Sequence, residues 1–272
     1  MKDRLRQARQ AAADLADRAK NLRPGATDDE VDVIDDDEED EDLPPVEIAE
    51  GDREELARLD AEEAEPIALD QDQSLWELLR KIDPTPSVPL AAKHEVGLVA
   101  LLRRLGELSD TSLLEDKRAR RVLDLVGDRL SISAGPDGIT VRSLLRRRHT
   151  PWKRIQRLTI QGRYDLIRGD GLAKLMESIR SNFVPFPIPG LGWLLRRVTN
   201  GIANWLESRM DEDEISALQE EGGSVLLAIQ RRGRDIELEG PLLLVAMLSP
   251  GLSEALEQEA RARGIPVERS EA

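Results

Sequence analysis

One chemistry is concentrated in the middle of this chain. Arg142, Arg146, Arg147, Arg148, Lys153, Arg154 and Arg157 fall between Gly138 and Tyr164 with no acidic residue among them. Cations at this density attract anions: near an anionic lipid surface each contributes about 1 kcal/mol, over a reach that salt limits to roughly a Debye length. Strand alternation would divide the side chains between two faces, but several still gather near the turn at His149. These seven are the candidate ligand-binding residues. The competing reading is a solvated edge strand whose charges keep it from pairing with other chains, and Trp152 reads as a core anchor beside them.

A second constellation begins at Phe183-Val184-Pro185-Phe186-Pro187-Ile188-Pro189-Gly190 and continues to Arg209. Four of the seven aromatics fall here: Phe183, Phe186, Trp193 and Trp205. On a helix, Leu191, Leu194, Leu195, Val198, Ile202, Trp205 and Leu206 share one face, with Arg196, Arg197, Asn200 and Asn204 toward the other. Tryptophan and arginine on an amphipathic helix suit contact in the plane of a membrane or with a partner. Packing of this face onto the β-domain is nonetheless the commoner outcome for such a stripe. Phe183, Phe186, Trp193, Arg196, Arg197 and Trp205 are therefore the candidate membrane or partner contacts.

The third charged feature has the opposite sign. The chain has 272 residues and a net charge of −15, and residues 28–65 hold 21 acids against only Arg53 and Arg58. Asp35 to Asp42 are eight consecutive acids. Residues 66–272 balance at 30 charges of each sign, so the acidity belongs to an arm. Such a segment buries too little apolar surface to offset the entropy of ordering it and is expected to be disordered. Tethered to a basic surface, it is held there at high effective concentration. It is either a solubilising spacer or an occupant of that surface competing with anionic ligands.

No other motif carries chemistry. There is no nucleophile elbow, phosphate-binding loop, dinucleotide fingerprint or zinc motif, so a non-enzymatic protein without a cofactor is expected. Cysteine is absent, and His94 and His149 stand far apart, which leaves no metal site to nominate. The acidic run lacks the spaced ligands of a calcium loop. The N-terminus has no apolar run for a secretory signal, and Leu242 to Leu248 is too short to span a bilayer, so the expected location is cytoplasmic. Nucleic acid is disfavoured as a partner, because the basic run lacks interleaved aromatics and an acidic arm repels phosphates.

The elements that must position these residues follow from periodicity. Met1, Leu5, Ala8, Ala12, Leu15, Ala19 and Leu22 make a narrow stripe on a basic amphipathic helix over 1–23, stopped by Pro24-Gly25. A disordered acidic linker covers 24–70 and a helical lead-in 71–128. The lead-in comprises a short helix capped by Ser74, a second from Lys93 to Leu108 and a third from Ser112 to Val126. Leu130, Ile132, Ile139 and Val141 alternate around Gly135-Pro136-Asp137-Gly138 as a hairpin, and Ile155 to Ile160 reads as a third strand. Ser224 to Gln230 and Asp235 to Glu239 form a late hairpin. A final helix from Ser253 to Arg263 ends at Gly264, placed as a C′ glycine.

Read together, the first hairpin, its basic continuation Arg146-Arg147-Arg148 and the Pro151-Trp152-x-x-Ile155 motif resemble the bacterial pleckstrin-homology-like domains of actinobacteria. In that family a second strand with a basic tail leads into a PW-x-x-I motif. The resemblance spans about 128–162 and 222–264, and residues 163–221 depart from it as a helical insertion. It implies an α+β fold over 129–268: a small PH-like antiparallel β-barrel or sandwich with a capping C-terminal helix. It also implies a non-catalytic binding module on the inner face of the cell membrane, docked on anionic lipid through the basic strand and loop. The alternative is an adaptor whose acidic arm or PH-like domain takes a protein partner.

Overall fold

The computed structural model describes residues 40–69, 75–108, 113–167, 188–208, 223–232 and 235–270. The helix expected at 1–23, residues 24–39 of the arm, Ser74, Phe183 and Phe186 lie outside them. In chain order the elements are β1 (Asp40–Asp42), α1 (Glu50–Ala61), α2 (Leu75–Ile82), β2 (His94–Gly97), α3 (Leu98–Leu108), α4 (Lys117–Val126), β3 (Ser131–Ala134), β4 (Gly138–Arg142), β5 (Arg146–Pro151), β6 (Ile155–Gly162), α5 (Arg163–Ile167), α6 (Leu191–Ser208), β7 (Ser224–Arg231), β8 (Ile236–Glu237), α7 (Pro241–Leu248), α8 (Pro250–Ala262) and β9 (Val267–Arg269).

The expected hairpin is β3 and β4, paired antiparallel so that Ile132 faces Val141 and Ala134 faces Ile139, all four buried. Their register follows from the alternation, since a one-residue slip would turn the apolar set away from the core. The strand order of the first sheet is β1-β5-β4-β3-β2, antiparallel throughout. The second sheet runs β8-β7-β6-β9, with β9 parallel to β6. Among the described residues neither sheet closes, so of the expected barrel or sandwich the closed barrel is not formed. Pro151 has no N–H to continue the β5 ladder, and the 3₁₀ turn Trp152–Arg154 then carries the chain from the first sheet into the second.

Several helices also differ from expectation. Residues 94–97 form a strand because Val96 is buried opposite Ile132, so α3 starts at Leu98 rather than Lys93. Helix α4 starts at Lys117, not near Ser112, since the Asp116 carboxylate caps it by accepting from the Arg118 and Ala119 amides at 2.8 and 3.4 Å. The apolar run Leu242–Leu248 is the body of α7, a helix buried on most sides with Pro241 in its first turn. Helix α8 starts at Pro250, ahead of the expected Ser253, and Gly264 beyond it takes φ +72°.

The largest correction concerns the acidic segment. From Asp40 to Leu69 it is a strand, a helix and an extended stretch, not a disordered linker. Leu56 and Leu59 are fully buried on α1, and Ala64 and Ile67 follow them into the core. Asp60 accepts from the Gly190 amide at 2.9 Å and the Trp193 amide at 3.1 Å, filling the first turn of α6. Four apolar side chains spaced among acids are enough to fasten the segment, and averaged composition does not show them.

Two buried charged groups, Asp83 and Arg163, are matched. Asp83 accepts from the Leu252 amide at 2.8 Å and lies 2.9 Å from His94 Nε2, tying the end of α2 to the start of α8. Arg163 is 2 % exposed, and its guanidinium donates to the carbonyls of Met247 and Ser224. Burial pushes its pKa down to about 10, while the Glu254 and Asp83 charges oppose that fall, so it stays a cation at neutral pH.

Candidate ligand-binding surface

Strand β5 carries the centre of the cationic run. Alternation places Arg146, Arg148 and Thr150 toward one side of the sheet and Arg147 and His149 toward the other. Across β4, Arg148 stands opposite Val141, and Arg147 opposite Arg142. Two arginines in direct cross-strand register repel one another, so carboxylates nearby are needed to stabilise the pair. Arg142 has them in Asp128 and Glu95. Glu95 is drawn below its ordinary value: burial pushes its pKa up, but hydrogen bonds from Lys93 and Ser131 and the charges of Lys93 and Arg142 outweigh it.

The other edge of β5 is taken by β1. Asp40, Glu41 and Asp42 face Arg148, Arg147 and Arg146 in antiparallel register, and each acid forms an ion pair with its opposite arginine, at 3.6, 3.3 and 3.4 Å. Because both strands alternate, acids meet arginines on both sides of the sheet. Beyond the strand, the Leu43 amide donates to the Leu145 carbonyl at 2.8 Å, and Arg129 donates to the carbonyls of Pro44 and Leu144 at 2.6 and 2.9 Å.

The remaining cations lie elsewhere. Arg157 is on β6 and pairs with Glu268 of β9. Lys153 and Arg154 sit in the turn between the sheets, Lys153 exposed and Arg154 half-buried. The cationic run is therefore divided. Arg142 and Arg146–Arg148 share the β4–β5 hairpin, whereas Lys153, Arg154 and Arg157 follow the chain out of that sheet.

The second constellation is used inside the fold. Trp193 and Trp205 are 3 % and 5 % exposed. Arg197 pairs with Asp116 at 2.7 Å, donates to the Glu65 carbonyl and lies over the Trp193 ring at 5.0 Å, with Arg118 also over that ring at 5.5 Å. Arg196 donates to the Asp60 carbonyl at 2.8 Å. The surface contacts expected of these four residues are corrected to packing, because the ordered 50–69 segment covers the helix face that sequence leaves open.

One surface residue had no signal in a reading by charge. Leu145 is 55 % exposed, the one exposed large hydrophobic among the described residues, and it sits at the tip of the β4–β5 turn next to Arg146. Leu144 beside it is buried, so the turn anchors one leucine and projects the other.

The motif at the sheet corner has a clear physical role. Trp152 is buried, its indole N–H donates to the Gly135 carbonyl at 2.8 Å, and its backbone amide donates to the Asp137 carbonyl at 3.2 Å. Arg263, just after α8, lies over the ring at 5.0 Å. The indole thus locks the β3–β4 turn, the sheet crossover and the C-terminal helix together. Gly138 is needed there, since a Cβ would lie 2.2 Å from the Thr150 carbonyl oxygen.

Residues 129–175 match the bacterial PH domain family. The PH-domain match takes in β3 to α5, hence the basic hairpin, the tryptophan corner and β6. No curated protein and no solved structure matches the chain. A PH-like segment suggests a non-catalytic binding module. Among the described residues, no group of three or more His, Cys, Asp or Glu could hold a metal ion, and no helix is long and apolar enough to cross a membrane.

Proposed function

We propose that this chain is a non-catalytic binding module that docks peripherally on anionic membrane surfaces through the β4–β5 hairpin. The observation that carries the reading is Leu145, projecting from a turn whose next three residues are arginines. A leucine entering the headgroup region while arginines meet phosphates combines apolar and electrostatic attraction, neither sufficient alone. Arg146 and Arg148 share one side of the sheet, so two cations at about 1 kcal/mol each and a partly buried leucine at about 1 kcal/mol give roughly 3 kcal/mol once no internal carboxylate competes, a weak and reversible attachment. Trp152 supports the reading differently, by holding the hairpin base rigid. A second reading, an adaptor for an acidic protein segment, is favoured by one observation: the β5 edge already carries an acidic extended strand.

Co-sedimentation of the full chain with vesicles of anionic phospholipid, at low salt, tests the proposal. Binding that falls several-fold in Leu145→Ser and disappears in the R146E/R147E/R148E variant is expected, with no binding to neutral phosphatidylcholine. Equal binding to neutral and anionic vesicles, or binding indifferent to both variants, would overturn it.

A further inference from the structure

Strand β1 is itself a ligand of the β5 edge. It covers the same three arginines that the membrane reading needs, in register, with one carboxylate for each guanidinium. It also forms backbone pairs along the strand, so the edge is covered in hydrogen bonding as well as in charge. Aspartate and glutamate have poor strand propensity, and a three-residue acidic edge strand has no intrinsic reason to form. Its place in the sheet follows from its partner's charge.

Its hold is also weak. The ion pairs are 3.3 to 3.6 Å long, beyond the roughly 2.7–2.9 Å of tight charge-assisted bonds. Exposure rises along the strand: Asp40 and Arg148 are the more sheltered pair, whereas the Asp42 side chain is 86 % exposed. No β1 side chain is buried, in contrast to the α1 leucines that follow. The register is not specified by shape either. Residues 35–39 are also all acidic, and any of them would offer β5 the same charge after a slip.

We infer that residues 40–42 are an internal pseudo-ligand that masks the arginines of the hairpin and is displaced when a denser anionic surface competes for them. This rests on the anionic-membrane reading of that hairpin and adds its regulation. The tether makes the strand an effective competitor, because it never has to diffuse to its site. An isolated lipid headgroup cannot match three aligned carboxylates, but a surface of many headgroups can. The module is therefore silenced toward scattered anions and responds to a high surface density of negative charge. Leu145 sits where the masking strand ends, since the Leu43 amide binds its carbonyl, so the apolar tip remains available for first contact.

The test neutralises all eight acids from Asp35 to Asp42 as Asn or Gln in the full chain, so that no register restores the mask. The variant should bind vesicles of 20 % anionic phospholipid about tenfold more tightly than the wild type, the effect of removing three solvent-screened pairs of about half a kcal/mol each. Its affinity should also fall more steeply with salt, because salt weakens the mask and the membrane attraction together in the wild type. Amide hydrogen exchange at Arg147, whose N–H is on the β1 side of the strand while that of Arg146 is held by Ser143, should rise in the variant when measured without lipid. Wild type and variant binding equally, with unchanged exchange, would overturn the masking while leaving membrane docking intact. Faster exchange without vesicle binding by either protein would overturn the membrane reading instead, and a gain in binding to a poly-glutamate peptide in that case would assign the unmasked edge to an acidic protein partner.

Discussion

Replacing Asp60 with alanine is the sharpest test of whether the acidic segment is part of the folded unit. Its carboxylate accepts from the Gly190 and Trp193 amides, two of the orphan donors at the start of α6, and does so from another helix. Loss of a capping side chain costs about 0.5–2 kcal/mol, and a negative charge at a helix N-terminus adds about 0.3–1 kcal/mol. Asp60 is half-buried, so water replaces it only in part, and the loss should lie at the upper end, about 2 kcal/mol. Asp60→Asn keeps an acceptor without the charge and should lose about 1 kcal/mol. In urea denaturation followed by tryptophan fluorescence, the midpoint should fall with the slope unchanged. The melting temperature should drop by about 4–8 °C for a domain of this size. Glu47→Ala, an exposed acid of the same segment, is the control and should move neither. If Asp60→Ala matches that control, the segment is not docked on α6, and the account of the buried Trp193 falls with it.

Two further outcomes follow from the sheet corner and from Glu95. Trp152→Phe keeps an aromatic ring but leaves the Gly135 carbonyl without its donor, and should destabilise by about 1–2 kcal/mol in thermal unfolding, against about 3–5 kcal/mol for Trp152→Ala; a Trp152→Phe protein as stable as the wild type would mean the indole hydrogen bond contributes nothing. Because the folded pKa of Glu95 lies below its ordinary value, its contribution is present above the usual glutamate range and is lost as pH falls through the folded value. Glu95→Gln should therefore lower stability at pH 7 and flatten the acid limb of the stability profile, and an acid limb identical to the wild type would refute the linkage.

The parts of the fold legible in sequence were those whose signal is local. Ile132, Val141, Leu158 and Ile160 alternate on strands, Gly135 to Gly138 marks a turn, and Gly264 ends a helix, each by short-range sterics. The candidate site was half legible. Arg142 and Arg146–Arg148 share the β4–β5 hairpin, which the alternation of apolar residues does not mark, and Lys153, Arg154 and Arg157 leave it, because sequence cannot show that Pro151 and Trp152 turn the chain into another sheet. For Trp193 and Trp205 the stripe itself suits packing, but its cover was illegible, because it arrives from residues 50–69, more than a hundred positions away. Leu56 and Leu59 alone do not outweigh the acids around them in any composition average, yet in three dimensions they do.

The same acidic segment is fastened in two very different ways, and the contrast bears on what can move. Its α1 part is held by two fully buried leucines, each contributing about 1.5–3 kcal/mol of burial, and by the Asp60 cap. Its β1 part is held by screened ion pairs of about 0–1 kcal/mol each and a short exposed ladder. A perturbation of a few kcal/mol therefore frees the strand long before it frees the helix. The boundary falls between Leu43 and Ala49, where Arg129 holds the Pro44 carbonyl and Val46 packs against the core. Release of β1 would leave the helix that covers Trp193 in place, so a masking strand can exchange with an external anion without unfolding the domain that presents the arginines.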